Sequence, residues 1–126
     1  MSQQPTNRGR TITDALLAVM AHSTEPMSLS DPWLSDHPIV AVNAAFEAMT
    51  GYPSAEVVGR NCRLLQGLST NHDVARRLGR TIAAGQGWVE WIVNHRKDGS
   101  AFWNLLFLSP AHDADGTRFC HSSRHG

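Results

Sequence analysis

The sequence predicts an α+β domain in which one five-stranded antiparallel sheet carries short helices on one face. Two short apolar segments near the N-terminus have the length of strands. A central stretch is helical but interrupted by glycine and proline, and the last third has the pattern of a three-stranded meander. This order, in which strands are followed by helices and then by strands again, is expected for a sheet with its helices on one side. The chain has 126 residues and 41% hydrophobic side chains, which fits one domain with one core.

The N-terminal part, 1–24, is predicted to be a mobile polar tail followed by a short amphipathic cap helix, and 25–126 form the domain itself. Thr11 and Asp14 have the spacing of a capping box, which predicts that the helix starts there. The apolar residues that follow fall on one side of a helix: Leu16, Leu17 and Met20.

Two strands are predicted next, at 26–32, where the segment ends in a turn, and at 38–42. The stretch 43–67 is helical in pieces, with breaks at Gly51, Pro53 and Gly59.

A longer helix is predicted over 72–84. Asn71 can cap its N-terminus, and Gly85 ends it before a turn.

The meander is predicted to consist of three strands, at 88–96, 101–110 and 117–123. Asp98-Gly99 is a hairpin signal between the first two strands, and 113–116 form a turn before the third.

Alternation along the first hairpin places two amides, Asn94 and Asn104, on otherwise apolar faces. A buried amide without a partner costs several kcal/mol. Two explanations remain open. The amides satisfy each other, or they bind a ligand whose polar rim carries both donors and acceptors.

Charge and composition exclude several classes of partner. Lys plus Arg and Asp plus Glu are 11 each, so no basic field attracts nucleic acid. No apolar run approaches the ~20 residues that span a bilayer, and the polar N-terminus lacks the apolar segment of a signal peptide. Two cysteines do not make a disulfide framework. These features predict a cytoplasmic protein that binds neither nucleic acid nor membrane.

One motif carries a family resemblance. Residues 59–67 read GRNCRLLQG, and the segments MTGY, NHRKDGSAFWN and SP follow a matching pattern around it. With the two downstream asparagines, this pattern resembles the light-oxygen-voltage (LOV) domains, the flavin-binding blue-light sensors among the PAS domains. The family motif differs from this one only at Leu64. The resemblance covers about residues 25–118 and implies a five-stranded antiparallel sheet whose short helices hold a flavin.

The resemblance also implies roles for particular residues. Cys62 lies beside the ring of flavin mononucleotide (FMN) and, in blue light, forms a reversible bond to its 4a carbon. Arg63 pairs with the phosphate. The polar edge of the ring and the ribityl chain are held by Asn61, Gln66, Asn94 and Asn104. The ring is walled by Leu65, Ile82, Ile92, Leu106 and Leu108.

Some positions depart from the family pattern. Ser30 and His37 stand where threonine and asparagine are common, and both keep hydrogen-bonding capacity. Gly79 stands where a second phosphate-binding arginine is usual. Arg76 and Arg80 lie one turn apart on the same helix, and they either reach the phosphate or are solvated surface charges. FMN is the expected cofactor, with riboflavin or FAD as alternatives.

The last strand departs most, because His125 stands where the family carries a glutamine that contacts flavin N5. The chain ends one residue later, so we expect either a stand-alone short LOV protein or a C-terminal end that has been lost or altered. Cys120, His121 and His125 form a cluster with alternating directions, which makes a poor metal site, so no metal is expected.

The function expected from these observations is that of a blue-light photoreceptor, a sensor module for signal transduction and not an enzyme. Two other functions remain open on the same scaffold: a flavin-binding redox sensor or minor flavoenzyme, and a PAS interaction domain without flavin. If the two asparagines point inward, an apolar outer sheet face remains. We expect a homodimer that uses this face and the N-terminal helix, with a monomer covered by that helix as the alternative. The outer-face residues are Val89, Trp91, Val93, Trp103, Leu105 and Phe107.

Overall fold

The computed structural model describes residues 7–113 and 116–125, with side chains described for 14–110. The elements follow in the order α1 (Asn7–His22), β1 (Met27–Ser30), β2 (Ile39–Val42), α2 (Ala44–Thr50), α3 (Ser54–Val57), a 3₁₀ turn (Cys62–Leu65), α4 (His72–Ala83), β3 (Trp88–His95), β4 (Ala101–Asp113) and β5 (Gly116–His125). The predicted α+β class is confirmed.

The five strands form one antiparallel sheet in the order β2-β1-β5-β4-β3. In the first hairpin, Ile92 lies opposite Asn104, and Asn94 lies opposite Phe102. The predicted turn between these strands is present, with Gly99 in the left-handed region at φ 89°. This conformation costs glycine little because it lacks a Cβ atom.

Two apolar clusters hold the helices against the sheet. In the first, Leu78 of α4 packs on Ile92, Leu106 and Leu108 of the sheet. In the second, Ile39 of β2 packs with side chains from α2, α3 and the 3₁₀ turn. A cleft opens between α4 and the 3₁₀ turn, where these clusters meet.

Two predicted boundaries were wrong. The first helix begins at Asn7, so Thr11 lies inside it and 7–10 are helical instead of a mobile tail. Threonine and aspartate cost a helix interior less than ~1 kcal/mol each, so the spacing of a capping box does not by itself stop a helix. Strand β4 continues past Pro110 to Asp113. Its pairing with β3 ends at Leu108, so the proline lies where β4 pairs with β5 alone. Within the described residues, no helix is both long and apolar enough to cross a bilayer.

The buried side chain of Asn43 joins three elements. Its Oδ1 accepts from the backbone N–H of Phe46, which caps α2, and from that of Met27 in β1, at 3.0 and 2.9 Å. Its Nδ2 donates to the carbonyls of Met20 and Glu25, each at 2.9 Å. The end of α1, the start of β1 and the start of α2 therefore depend on one amide.

We predict that Asn43→Ala lowers the free energy of unfolding by about 3 kcal/mol, because it removes a helix cap and leaves buried backbone groups unpaired. Asn71→Ala is the matched control, since Asn71 caps α4 through Asp73 and Val74 but is exposed. The control should cost only about 1 kcal/mol. Urea unfolding followed by circular dichroism measures both, and equal losses would contradict the joining role of Asn43.

Candidate functional site

The site begins with a small cavity between the sheet and the 3₁₀ turn. Its volume is about 30 Å³, enough for a water molecule. Its lining is apolar except at a few positions, which are contributed by β1, the 3₁₀ turn, β3 and β4. The lining residues are Ser28, Phe46, Cys62, Leu65, Gln66, Leu78, Ile92, Asn94, Asn104 and Leu106.

A second, more open cleft of about 320 Å³ adjoins this cavity, and the two share Cys62, Gln66 and Leu78. One wall of the cleft is polar and consists of Asp36, His37, Asn61 and Arg63. The other wall is the small and apolar face of α4, formed by Ala75, Gly79, Ile82 and Ala83. Small-molecule sites are clefts of roughly 300–1,000 Å³ with a few placed polar groups, and this cleft fits that description.

The two predicted amides lie inside, where alternation placed them. Asn94 and Asn104 are 6% and 1% exposed. Asn104 Nδ2 donates to Asn94 Oδ1 at 2.8 Å, so the amides do satisfy each other in part. Among the described residues, Asn104 Oδ1 has no partner, and Asn94 Nδ2 has only a long contact of 3.5 Å with the Val93 carbonyl. The pair therefore retains one acceptor and one weakly engaged donor beside the cavity, so it suits a ligand edge with both donors and acceptors.

The Cys62 thiol lines both spaces from the start of the 3₁₀ turn. Asn61 caps this turn by accepting from the Arg63 N–H at 2.9 Å, and its Nδ2 donates to the Asp36 carbonyl at 2.7 Å. The turn is thereby attached to the loop before β2. Burial raises the pKa of the Cys62 thiol to about 11, so the sulfur holds its proton at neutral pH.

The outer end of the cleft carries an ion pair. The Arg63 guanidinium donates to Asp36 Oδ2 at 2.5 Å, and both side chains are more than half exposed. This hydrogen bond lowers the pKa of Asp36 and raises the pKa of Arg63. On the facing helix, Arg76 pairs with Asp73, and neither Arg76 nor Arg80 is among the lining residues of the cleft.

The structure brings most of the predicted site residues together. Asn61, Cys62, Arg63, Leu65, Gln66, Ile82, Ile92, Asn94, Asn104, Leu106 and His37 all line the cavity or the cleft. Ser30 and Leu108 are buried but line neither space. The His125 backbone lies opposite Asn104, whereas its side chain, like those of Cys120 and His121, is outside the described residues.

Several lining residues were missed by sequence reasoning. Ser28 shares a strand face with Ser30, so alternation alone could not choose between them. Leu78 could have been found, because it lies four residues from both Val74 and Ile82 on one helix face. Asp36 gave no local signal, since its partner Arg63 lies 27 residues away in the sequence.

Comparison with known sequences finds the PAS domain family, whose model matches residues 33–121. A blue-light-activated histidine kinase of Brucella abortus (strain 2308) is 44% identical over 104 residues, which are 82% of this chain and 21% of that protein. Phototropin-1A of Oryza sativa subsp. japonica is 40% identical over 105 residues, which are 83% of this chain and 11% of that protein. The chain thus spans about a fifth or less of these relatives.

A solved structure agrees with the sequence matches. The LOV domain of the Erythrobacter litoralis EL346 blue-light activated histidine kinase has a TM-score of 0.76 and 39% identity. The match covers 80% of this chain and 94% of that chain.

We predict that the amide pair serves a ligand and not stability. In the ligand-free protein, either single variant, Asn94→Leu or Asn104→Leu, leaves one buried amide unpaired and should lower the free energy of unfolding by about 1–3 kcal/mol. The double variant removes both polar groups and should be at least as stable as the more stable single variant. Denaturant unfolding of the three proteins tests this, and a double variant that loses the sum of the single losses would contradict it.

Proposed function

Because the chain belongs to the LOV domains of the PAS family, which are blue-light sensors, we propose that it binds FMN in the cleft and bonds reversibly to it through Cys62. The observation that carries this proposal is the partly satisfied amide pair in the same cavity as the cysteine. The residues supply position and environment. A bound flavin supplies absorption of blue light and an electrophilic carbon.

The residues present fit the shape and polarity of a flavin. The ring edge carries two carbonyls and an N–H between them, which match the weakly engaged donor and the unpaired acceptor of the amide pair. Gln66 and Asn61 lie along the route to the surface, where they can bind the ribityl hydroxyls. Apolar walls for the ring come from Leu65, Ile82, Ile92 and Leu106, and the cluster behind them contains Leu108.

Cys62 is suited to a reaction that starts only after light is absorbed. With a flavin bound, the sulfur would bond to carbon 4a and its proton would pass to N5, so no oxidant or reductant would be consumed. When the bond breaks in the dark, the proton returns to the sulfur. A thiol whose pKa is raised to about 11 holds this proton at neutral pH and resists oxidation in the dark. Contact within the cleft makes the step intramolecular.

At the outer end, we assign the phosphate to Arg63, the arginine that lines the cleft. Arg76 or Arg80 would have to turn toward the cleft to assist. Ser30, His37 and His125 remain proposed contacts with the flavin or its hydrogen-bond network. His125 has backbone support for this role, because its position in β5 lies opposite Asn104.

We further propose that the chain is a sensor without catalysis of its own and acts in the cytoplasm. A homodimer through the outer sheet face is the proposed means of signalling. Val89, Trp91 and Trp103 on this face are 59%, 46% and 57% exposed. Helix α1 contacts β4, but only Met20 among its described side chains is buried, so the helix leaves these three side chains open to a second copy.

We predict that Cys62→Ala keeps the yellow colour of the purified protein, abolishes its reversible bleaching in blue light and raises flavin fluorescence. The reason is that the excited flavin loses its reaction with the Cys62 thiol, which is the main chemical route by which the excited state decays. Absorption spectra before and after illumination measure the effect. Cys120→Ala is the matched control and should bleach normally. A Cys62→Ala protein that still bleaches reversibly would rule out the proposed bond.

We predict that the protein is dimeric at micromolar concentration and that Trp103→Glu makes it monomeric, because a carboxylate would be desolvated in the apolar interface. Light scattering in dark and lit states measures the mass. Leu68→Glu is the control, since Leu68 is fully exposed and lies outside this face. A protein that is monomeric in both states before substitution would rule out the dimer.

A further inference from the structure

The charges in the outer cleft cancel each other. Among its described lining residues, Arg63 is the one permanently cationic group and Asp36 the one carboxylate, and they are joined at 2.5 Å. A phosphate that enters this end must take Arg63 from Asp36 and then lie beside the freed carboxylate. The free energy gained from the contact between Arg63 and the phosphate is therefore offset by the loss of the contact between Arg63 and Asp36.

We propose that Asp36 is a specificity-determining residue, which makes the cleft accept riboflavin about as well as FMN. The inference rests on the proposed binding of flavin and adds the class of flavin that is bound. Riboflavin ends in a hydroxyl and needs no cation, so it leaves the Asp36–Arg63 pair intact.

The backbone keeps Asp36 at the cleft. Asp36 and His37 are consecutive non-glycine residues in the left-handed region, at φ 66° and 46°, an uncommon arrangement. The Asp36 carbonyl accepts from Asn61 Nδ2 at 2.7 Å, and Pro38 forms a β-bridge with Asn61. The backbone of Asp36 is therefore held by the same asparagine that caps the Cys62 turn, and its carboxylate is held by Arg63. Its lowered pKa keeps it ionised at neutral pH.

The opposite wall of the cleft is formed by α4, and none of its described lining residues is a cation. Gly79 lines the cleft from α4, and a Cβ atom added there would meet nothing within 4 Å. Arg76 is engaged with Asp73. Arg60 lines a neighbouring groove that also contains Asp36 and Arg63, but it does not line the cleft. Gly79 thus offers an open position at which a cation can be introduced without a clash.

The test compares the dissociation constants of FMN and riboflavin, measured by fluorescence titration of flavin-free protein at low salt. In the unaltered chain we expect the two constants to agree within about threefold. Asp36→Asn should tighten FMN by about fivefold to tenfold and leave riboflavin unchanged. Asparagine tolerates the left-handed conformation, so this variant should keep the loop.

Two further variants act on the cations. Gly79→Arg should tighten FMN alone by about tenfold, because it adds a charge-assisted contact. Arg63→Ala should weaken FMN by only about threefold and leave riboflavin unchanged, because the lost phosphate contact is offset by the pair with Asp36 that no longer has to be broken. Arg60→Ala is the matched control and should change neither constant. A tenfold loss of FMN binding in Arg60→Ala would overturn the inference, because a second cation would then bind the phosphate.

The remaining outcomes separate this inference from the function on which it rests. FMN bound more than tenfold more tightly than riboflavin by the unaltered chain, or equal changes for both flavins in Asp36→Asn, would overturn the role of Asp36 alone. Failure of the unaltered chain to bind either flavin would overturn flavin binding and this inference together. At high salt the difference between Asp36→Asn and the unaltered chain should shrink, since the pair is exposed.

Discussion

The hydrogen bond between Asn104 and Asn94 constrains the whole domain, because it fixes how the first hairpin must pair. The two residues are diagonal neighbours across β3 and β4, and a slip of either strand by one position would turn its amide to the outer face and separate the pair. Leu78 and Leu106 make the surroundings apolar, so the amide oxygen without a partner costs about 1–3 kcal/mol. A sheet built only for stability would carry leucine at these positions. In the proposed function, a bound flavin would complete the hydrogen bonds of these amides.

The opposite side of the cavity is held by a second asparagine, Asn61, which caps the turn that carries Cys62 and also binds the loop at Asp36. A third, Asn43, attaches α1 and α2 to β1. Since β1 pairs with β5, and β5 with β4, the amide pair is connected to the N-terminal helix through backbone hydrogen bonds and one buried side chain. If a flavin binds as we propose, a change of hydrogen bonding beside it would have a short physical route to the outer face of the sheet.

Much of the fold and of the candidate site could be predicted from local sequence patterns. The inward direction of Asn94 and Asn104 follows from a period of two, and the start of α4 follows from Asn71 as its cap, because both depend on neighbours in the sequence. Along α4, the sequence predicted Ile82 at the site, and the spacing of Leu78 could have identified it as well. It could not be predicted that Gly79 lines the cleft while Arg76 and Arg80 do not, since this depends on how Leu78 packs on the sheet. The pairing of Asp36 with Arg63 joins segments that are far apart in the sequence, so no periodicity of the sequence predicts it.

The site therefore has two ends of different character, and this difference decides where the binding free energy of a flavin comes from. At the outer end an exposed ion pair is already satisfied, so a phosphate adds little net attraction. At the inner end the hydrogen-bonding groups are buried and incomplete, so a ring edge that completes them gains more than it would at the surface. In the proposed function, affinity concentrated at the ring would hold the reacting carbon near Cys62 whichever flavin is bound. The proposed reaction with Cys62 depends on this placement of the ring and does not depend on a tightly bound phosphate.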